Sequence, residues 1–549
     1  MEVREHDLSR PLAWLLAVVL FTGIAPTLTW LEFSSGSENL VVATALEMRR
    51  SGQWWRPTLA GEPRTRKPPL AAWVAAAAID DGLLARLDHP DSAQRERAYR
   101  DLAWRTRGPV LLLCVLMLVG VYETGRVLHS GRLGLWAMAS AGTMLLVLRF
   151  GRAATTDVHL AFWAAAANLC FLWAIVGRRW WLGLGGAGAA LGMGLMAKGP
   201  VVLVQSALPM AAFAAWRCWA AGTAWRWDWL GPAAWGLGLM LAVALPWPLS
   251  VYLSDPATLN QWRAEVLREG ATSLQADPWW TYLVILPWTL PWLAGFVGGL
   301  LRLAEPDRPR AVVAGTLMLL APLAVMSGFA DKNERYLLPM AGGAGLLAAV
   351  GLLLATPSQR RAYGLLHWAA LGVMTLGLPT ACLTVLRTPA GGPWLEVAEA
   401  IVGGMAAAAA LTVGALLARR SADAVPFTTA AVMLILAAMF VSGYRKAEGG
   451  PSELRPVAES IRAVGADMPA YYLANPHSPR PLPPDLLIYL NRTVRKVESA
   501  EQVPDGPAVL VLLQRHRREP APAIPQGWKK AAEHRWTKDT WHVLVRDSR

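Results

Sequence analysis

The sequence predicts a polytopic α-helical membrane protein of about 13 transmembrane helices, followed by a small C-terminal extracytoplasmic α/β domain. Of the 549 residues, 54% are hydrophobic and only 17% are charged, whereas soluble proteins carry about 25% charged residues. Apolar windows of about 20 residues recur along the chain, and each is long enough to cross the hydrocarbon core of a bilayer. These runs are continuous rather than alternating, which excludes a transmembrane barrel.

The predicted spans lie at residues 11–31, 109–128, 133–150, 157–176, 180–197, 200–219, 231–253, 281–301, 311–329, 335–355, 364–387, 396–418 and 425–443. If the N-terminus is cytoplasmic, every inner link between these spans contains arginine, as the positive-inside rule requires. The odd number of spans then places the C-terminal tail outside. We therefore expect a multi-pass membrane protein with a cytoplasmic N-terminus and an extracytoplasmic C-terminal domain.

Two domains are expected, a transmembrane domain at 1–445 and a periplasmic α/β domain at 446–549. The first contains an external loop at 32–108, which is too polar to cross a bilayer. Within that loop, residues 70–85 are apolar but short, which indicates a re-entrant or interfacial helix. The charged stretch at 88–107 is predicted to be a helix on the membrane surface. The tail shows strand patterns at 469–474, 507–513 and 541–546, and helical patterns at 451–464 and 484–491.

The formal charge of +13 comes almost entirely from arginine. In a membrane protein such an excess sets the topology, so no nucleic-acid partner is expected. The four cysteines lie in or beside apolar spans without the spacing of a metal or redox site. No cluster of several acids and histidines marks a cation site. We therefore expect no metal, no cofactor, membrane lipids as neighbours, and a monomer.

Ionisable residues at the ends of spans are candidates for a functional site, because charges at membrane depth are rarely there without a function. Under the predicted topology they fall on one face of the membrane, and they are Glu38, Lys67, Asp157, Lys198, Lys332 and Arg335. Carboxylates can orient or deprotonate an acceptor hydroxyl, and cations at headgroup level can bind a phosphate. Taken singly, each residue also has a structural explanation. Lys198 could extend its ammonium group to the membrane surface, Asp157 could cap the helix that it begins, and Lys332 and Arg335 could be interfacial anchors. Their coincidence on one face favours transfer chemistry on a phosphate-bearing lipid.

An ordered set of short motifs carries a resemblance to a known family. They are Ser37-Glu38, Ala45-Leu-Glu47-Met48, Ser51-Gly52-Gln-Trp54, Pro57-Thr-Leu-Ala-Gly61, Lys67-Pro-Pro-Leu70 with Trp73, Arg152 with Thr156-Asp157, Ala197-Lys198-Gly-Pro200, Pro278-Trp-Trp280 with Pro287 and Pro291-Trp292, and Lys332 with Arg335-Tyr336-Leu-Leu-Pro339. In these motifs the chain resembles the GT-C membrane glycosyltransferases, specifically the lipid A aminoarabinose transferases and protein O-mannosyltransferases. The resemblance covers about residues 10–345.

The resemblance implies 11 to 13 transmembrane helices and an inverting transfer of a sugar from a polyprenyl-phosphate donor, of the undecaprenyl or dolichyl type, to a lipid, glycan or protein acceptor. It implies catalytic roles for Glu38 and Asp157. The donor phosphate would be bound by Lys67, Arg66, Lys332 and Arg335. Tyr336, Lys198 and Arg152 would contact substrate.

The chain departs from the family pattern in its first loop. The family has Asp-Glu followed shortly by Arg-Tyr, with the Asp as the expected catalytic acid. Here Ser37 stands in place of the Asp, and Leu40 and Val41 replace the Arg-Tyr pair. Serine cannot act as a carboxylate base, so Glu38 takes the role, Asp157 carries it alone, or activity is lost. A catalytically inactive lipid-binding relative is thus one alternative, and a lipid-linked sugar transporter or flippase is another.

Overall fold

The computed structural model describes residues 8–33, 36–222, 228–270, 277–329, 331–385, 394–447, 454–465, 468–473, 482–515, 523–535 and 539–546. The first helices in the chain are α1 Ser9–Ile24, α2 Gly36–Ser51, α3 Leu70–Ala77, α4 Asp81–Leu87, α5 Ser92–Leu128, α6 Gly131–Thr143, α7 Leu145–Phe150, α8 Thr156–Ile175, α9 Trp180–Lys198, α10 Leu208–Ala220 and α11 Leu230–Ala244. The later helices are α12 Pro246–Ser254, α13 Thr258–Gly270, α14 Ile285–Trp288, α15 Leu293–Leu301, α16 Arg310–Ser327, α17 Ala341–Leu353, α18 Pro357–Val385, α19 Trp394–Ala418, α20 Ala424–Ala447, α21 Leu454–Gly465 and α22 Pro484–Leu490.

Shorter elements connect or extend these helices. The 3₁₀ segments are Ala25–Thr29, Trp279–Val284, Arg302–Ala304, Glu334–Met340 and Ala500–Gln502, and a π-helical segment spans Leu203–Ala207. The strands are β1 Thr58–Leu59, β2 Glu62–Pro63, β3 Ala470–Leu473, β4 Val494–Val497, β5 Ala508–Arg515, β6 Lys529–Arg535 and β7 Asp539–Arg546.

The predicted membrane architecture is confirmed, whereas the number of 13 spans is not. Within the described ranges, nine helices are long and apolar enough to cross a bilayer, and the total reaches 11 if each of two bent helix pairs is one span. The bent pairs are Leu230–Ala244 with Pro246–Ser254, and Trp279–Trp288 with Leu293–Ala304. The other two predicted spans are not single long α-helices. Met144 is extended between α6 and α7, and the predicted span at 200–219 is helical without a gap from residue 201 but contains the π-helical segment before α10.

The first loop also differs from its predicted layout. The predicted helix at 88–107 and the predicted span at 109–128 are not separate, because α5 runs without a break from Ser92 to Leu128 with Pro109 inside it. The membrane-surface location of the first part stays a prediction. The stretch at 70–85 forms two short helices. Asp80 separates them and caps α4, where its side chain accepts a 2.7 Å hydrogen bond from the backbone N–H of Leu83. Neither helix is long enough to cross a bilayer.

By its internal contacts, the chain divides into two compact units. The first comprises Met1–Trp30, Arg66–Leu70 and Arg107–Glu448, and the second comprises Leu31–Thr65, Ala71–Thr106 and Gly449–Arg549. Most of the first loop is therefore in one unit with the tail, whereas the sequence placed that loop with the spans. The predicted boundary near residue 445 stays a prediction, and α20 continues to Ala447.

Polar contacts, buried or half-buried, join the first loop to the tail inside the second unit. The guanidinium of Arg95, which is buried, pairs with Glu459. The hydroxyl of Tyr99 donates a 2.7 Å hydrogen bond to the carbonyl oxygen of Tyr489. Arg455 lies between the carboxylates of Glu32 and Glu96, at 2.7 and 2.5 Å. Charged residues in the loop thus serve to hold this unit together.

The tail forms a five-stranded mixed sheet in the order β4-β3-β5-β7-β6. β3 pairs in parallel with β4 and β5, and β7 pairs antiparallel with β5 and β6. The predicted α/β class is confirmed, and the three predicted strands correspond to β3, β5 and β7. The sequence missed β4 and β6, which are the two edge strands and read VRKV and KKAAEHR. Charged edge strands are usual because they discourage edge-to-edge association, and they lack the apolar pattern by which strands are recognised.

Candidate functional site

The site is built on the helix hairpin of α8 and α9. The link between the helices is only four residues long, so they lie antiparallel, and the start of α8 is at the same end as the end of α9. Their contact is made by small and branched apolar side chains, among them Leu160, Ala164 and Ala167 of α8 and Ala190 and Leu191 of α9. Small residues at such contacts let two membrane helices approach closely. The packing therefore brings the two helix ends together.

Each of these helix ends carries a charge that suits the helix dipole. Asp157 is in the first turn of α8, and Lys198 is the last residue of α9. A carboxylate is stabilised at a helix N-terminus and a cation at a C-terminus. Gly199 ends α9 with φ +78°, a left-handed conformation that favours glycine. The Lys-Gly-Pro motif thus stops the helix directly after its charged residue.

Asp157 is paired with two cations. The Nζ of Lys198 contacts Oδ1 of Asp157, and the Nε of Arg335 lies 3.2 Å from Oδ2. The carboxylate side chain is 2% exposed, whereas those of Lys198 and Arg335 are 13% and 25% exposed. An unpaired carboxylate at this depth would cost several kcal/mol, so the two cations are what allow it to be there.

Arg335 and Tyr336 reach the site from the 3₁₀ segment Glu334–Met340. Asn333 caps that segment, accepting a 3.3 Å hydrogen bond from the backbone N–H of Arg335. The ring of Tyr336 lies beside Lys198, with 3.7 Å between the ammonium nitrogen and the ring centroid. Such a cation–π contact is worth roughly 0.5–2 kcal/mol. Tyr336 therefore holds the lysine from one side while Asp157 holds it from another.

Lys67 adds a third cation. It is half-buried in the segment Arg66–Leu70, which belongs to the first unit. It is close enough to Lys198 for the two ammonium groups to repel one another. Arg66, the preceding residue, is exposed. Two cations contact the one buried carboxylate and a third lies near Lys198, and a cluster of cations of this kind attracts an anion such as a phosphate.

Lys332 and Arg152 make structural contacts in the same unit. The ammonium of Lys332 donates a 2.7 Å hydrogen bond to the carbonyl oxygen of Asp277 and a second one to that of Phe329. Arg152 is buried and donates a 2.8 Å hydrogen bond to the carbonyl oxygen of Thr27. These contacts fix loops beside the site, so the phosphate role of Lys332 and the substrate role of Arg152 stay predictions.

Glu38 lies in the second unit. It is in the first turn of α2 and its side chain is buried. The neighbouring Ser37, which stands where the resembling family has aspartate, is half-buried. A carboxylate in the first turn of a helix is stabilised by the helix dipole, as at Asp157. The catalytic role predicted for Glu38 stays a prediction.

Two acids that accept hydrogen bonds in the structure, Glu47 and Asp277, were not among the predicted site residues. Both oxygens of Glu47 accept hydrogen bonds from the β1–β2 hairpin, namely from the hydroxyl of Thr58 at 2.5 Å and from the backbone N–H groups of Ala60 and Gly61 at 2.9 Å. The carboxylate of Asp277 accepts a 3.2 Å hydrogen bond from the backbone N–H of Lys332. The motifs containing Glu47 and the Pro-Thr-Leu-Ala-Gly run are among those that carry the family resemblance, but the sequence did not predict that they contact one another.

The described part of the chain contains no group of three or more His, Cys, Asp or Glu side chains arranged to hold a metal ion. What the site offers instead is a set of fixed cations, which can bind and stabilise an oxyanion through charge-assisted hydrogen bonds.

Comparison with solved structures shows the fold of this protein first. Its fold matches that of ArnT from Cupriavidus metallidurans bound to undecaprenyl phosphate, with a TM-score of 0.74 over 97% of each chain and 20% sequence identity. The same protein in the apo state matches with a TM-score of 0.70 and 18% identity. The chain is thus a multi-pass membrane protein with the GT-C fold, as the sequence predicts.

Comparison with known sequences then shows which proteins the chain is similar to. The profile described as dolichyl-phosphate-mannose-protein mannosyltransferase matches residues 99–249. An undecaprenyl phosphate-alpha-4-amino-4-deoxy-L-arabinose arabinosyl transferase of Pseudomonas aeruginosa is 30% identical over 253 residues, which is 43% of each chain. A transferase of the same name from Pseudomonas savastanoi is 26% identical over 363 residues, 63% of this chain and 62% of its own. The chain thus spans less than half the length of the Pseudomonas aeruginosa relative. The predicted resemblance to GT-C membrane glycosyltransferases of the aminoarabinose transferase type is confirmed.

Proposed function

We propose that the chain is a glycosyltransferase that moves a sugar from a polyprenyl-phosphate donor to an acceptor, with inversion at the sugar carbon. The observation that carries this proposal is the excess of positive charge around the buried Asp157. Lys67, Lys198 and Arg335 would bind the donor phosphate, and the names of the sequence relatives, which specify an undecaprenyl phosphate-linked aminoarabinose, support a donor of this class.

In the proposed reaction, an acceptor oxygen forms a bond to the anomeric carbon of the sugar while the bond from that carbon to the polyprenyl phosphate breaks. The phosphate leaves with the electron pair and gains negative charge, which the cations stabilise more strongly than they stabilise the bound donor. The proton of the acceptor passes to a carboxylate base.

Glu38 is the proposed base, and Asp157 is proposed to be a positioning residue. Each oxygen of Asp157 already faces a cation, Lys198 on one side and Arg335 on the other. A carboxylate held in this way fixes the direction of both cations. Ser37 has no carboxylate, which leaves Glu38 as the acid of that motif.

The proposed orientation has a cytoplasmic N-terminus and an extracytoplasmic second unit. It is supported by arginines in every predicted inner link. The acceptor class supported by the relatives is a lipid, and we propose that the chain acts as a monomer in the bacterial inner membrane.

Transfer of radiolabelled sugar from its polyprenyl phosphate, measured with purified full-length protein in lipid nanodiscs, tests the proposal. Binding of polyprenyl phosphate alone, followed by tryptophan fluorescence, is measured in parallel. We expect Lys67→Ala to weaken that binding about tenfold, because one charge-assisted hydrogen bond is lost. Arg66→Ala, at the adjacent exposed residue, tests the predicted contribution of Arg66 to phosphate binding separately. Unaltered binding in Lys67→Ala would exclude the assigned phosphate site, and binding without any turnover would identify an inactive lipid-binding relative.

A further inference from the structure

Arg455, in the first turn of α21, is held by contacts on several sides. Its guanidinium lies 2.7 Å from a carboxylate oxygen of Glu32 and 2.5 Å from one of Glu96. The central carbon of the guanidinium lies 4.9 and 5.0 Å from the ring centroids of Tyr99 and Tyr489. A cation is unfavourable at a helix N-terminus. The two acids and the two rings, and not the helix, therefore stabilise Arg455 at this position.

Glu32 connects Arg455 to the segment that leads towards α2. Its Oε2 accepts a hydrogen bond from Arg455 and a second one, also 2.7 Å long, from the hydroxyl of Tyr489. Hydrogen bonds to an ionised group are roughly twice as strong as those between neutral groups. The next residue, Phe33, is buried. The chain is therefore fixed at Glu32 and Phe33, shortly before α2 begins.

The same part of the tail also supports α2 itself. α2 packs against α22, which carries Tyr489, and α22 packs against α21, which carries Arg455. Glu38 is in the first turn of α2 and follows Glu32 by six residues. Six residues of fully extended chain span at most about 20 Å. The position of Glu32 therefore limits where the first turn of α2 can lie.

Arg455 thus links the tail to the helix of the proposed base, and all of these residues belong to the second unit. We propose that Arg455 is a positioning residue that acts through Glu32 to hold the first turn of α2, and with it Glu38; that this contact raises kcat rests on the proposed function. A base must lie within hydrogen-bond reach of the proton that it accepts. A misplacement of about 1 Å can cost about 10²-fold in rate. In this way the tail contributes to catalysis.

Glu32→Gln tests this proposal, and Glu96→Gln is the matched control. Each change neutralises one carboxylate that contacts Arg455, and the two side chains are similarly exposed, at 30% and 37%. Glu96 belongs to α5, which does not carry the proposed base. We expect Glu32→Gln to lower kcat about tenfold without changing the affinity for polyprenyl phosphate, and Glu96→Gln to change kcat by less than about twofold. Equal losses of kcat in both variants would reduce Arg455 to a structural contact and would overturn the proposal.

Combined variants show whether the effect passes through Glu38. In a Glu38→Gln background, Glu32→Gln should cause no further loss of kcat, because the base that it positions is already absent. A further tenfold loss would contradict the proposal. Arg455→Met should lower kcat at least as much as Glu32→Gln, and a normal kcat in Arg455→Met would also overturn it. If Arg455→Met does not fold, the comparison of Glu32→Gln with Glu96→Gln still decides.

Hydrogen–deuterium exchange of the full chain in nanodiscs gives a readout that does not depend on turnover. Amides in the first two turns of α2 should exchange about tenfold faster in Glu32→Gln than in the wild type, and at the wild-type rate in Glu96→Gln. Unchanged exchange in Glu32→Gln would overturn the proposal. If the wild type transfers no sugar, the proposed function fails and the exchange rates still decide the positioning role. If Glu38→Gln is inactive while Glu32→Gln is fully active, only the positioning role fails.

Discussion

Asp157 and Lys198 form a buried ion pair across the ends of two adjacent helices, 41 residues apart in the chain. If one of the two side chains is replaced by a neutral one, the charge of the other stays buried without this partner. Breaking a buried pair in this way usually costs about 3–5 kcal/mol, whereas replacing both partners is far less costly.

This pair supplies the first prediction. Lys198→Met should destabilise the protein by about 3 kcal/mol, the lower end of that range because Arg335 still faces Asp157. The double variant Asp157→Asn with Lys198→Met should recover most of that loss, because no unpaired carboxylate remains. Thermal unfolding of the purified full chain measures the two single variants, Asp157→Asn and Lys198→Met, and the double variant. If the two single changes add up in the double variant, the pair contributes no coupling energy and the assignment is wrong.

The second prediction separates the two proposed roles of the carboxylates. Glu38→Gln should lower kcat by about 10²–10⁴-fold and leave the affinity for polyprenyl phosphate unchanged, because only proton transfer is lost. Asp157→Asn should weaken that affinity, because Lys198 and Arg335 lose their common anchor. Transfer assays and fluorescence titrations on the same preparations measure the two effects. A fully active Glu38→Gln variant would remove Glu38 from the mechanism.

The third prediction concerns the clamp between Glu47 and the β1–β2 hairpin. Ala60 and Gly61, at the hairpin turn, have φ values of +58° and +79°. A non-glycine residue in this conformation is strained by roughly 1–2 kcal/mol, and the carboxylate compensates by accepting both backbone N–H groups. Glu47→Ala should therefore destabilise the protein by about 1.5–3 kcal/mol. Chemical or thermal unfolding gives the value.

Glu62 is the control for this change. It is an exposed acid in the same hairpin, so Glu62→Ala should alter stability by less than about 0.5 kcal/mol. Equal effects of the two substitutions would show that the hairpin depends on net charge and not on the clamp.

The fourth prediction is a dependence of stability on pH. Burial raises the pKa of Asp485, at the start of α22, to about 6, while hydrogen bonds from backbone N–H groups partly oppose the shift. Between its ordinary pKa of about 4 and the folded value, the folded chain binds more protons than the unfolded chain. Stability should therefore fall as pH rises from about 4 to about 6, and then stay level with respect to this group.

Asp485→Asn should remove that part of the dependence and raise the unfolding temperature at pH 7.5, because the amide has no charge to desolvate. Asp505→Asn, which changes an exposed aspartate, is the control and should leave the profile unaltered. The profile is measured by unfolding of the purified full chain between pH 4.5 and 7.5. A wild-type profile retained in Asp485→Asn would contradict the prediction.

Much of the fold could be predicted because the relevant signals are local. Long apolar runs identified the spans such as Thr156–Ile175, and apolar strands such as Ala508–Arg515 identified the sheet. The edge strands β4 and β6 escaped detection because their charged side chains face water. The continuity of α5 through Pro109 also escaped detection, since a proline in a sequence usually indicates a helix end.

The residue types of the site could be predicted, but their partners could not. The sequence by itself determined a membrane protein with Asp157 at the start of one helix and Lys198 at the end of another. Only the tertiary structure decided that Arg335, far along the chain, is the second cation beside Asp157. It also decided that Lys332 donates hydrogen bonds to carbonyl oxygens of nearby loops and that Glu47 accepts hydrogen bonds from the β1–β2 hairpin. The physical reason is that hydrophobicity and helix-end preferences act within a few residues, whereas the partner of a buried charge is set by which helix ends the packing brings together.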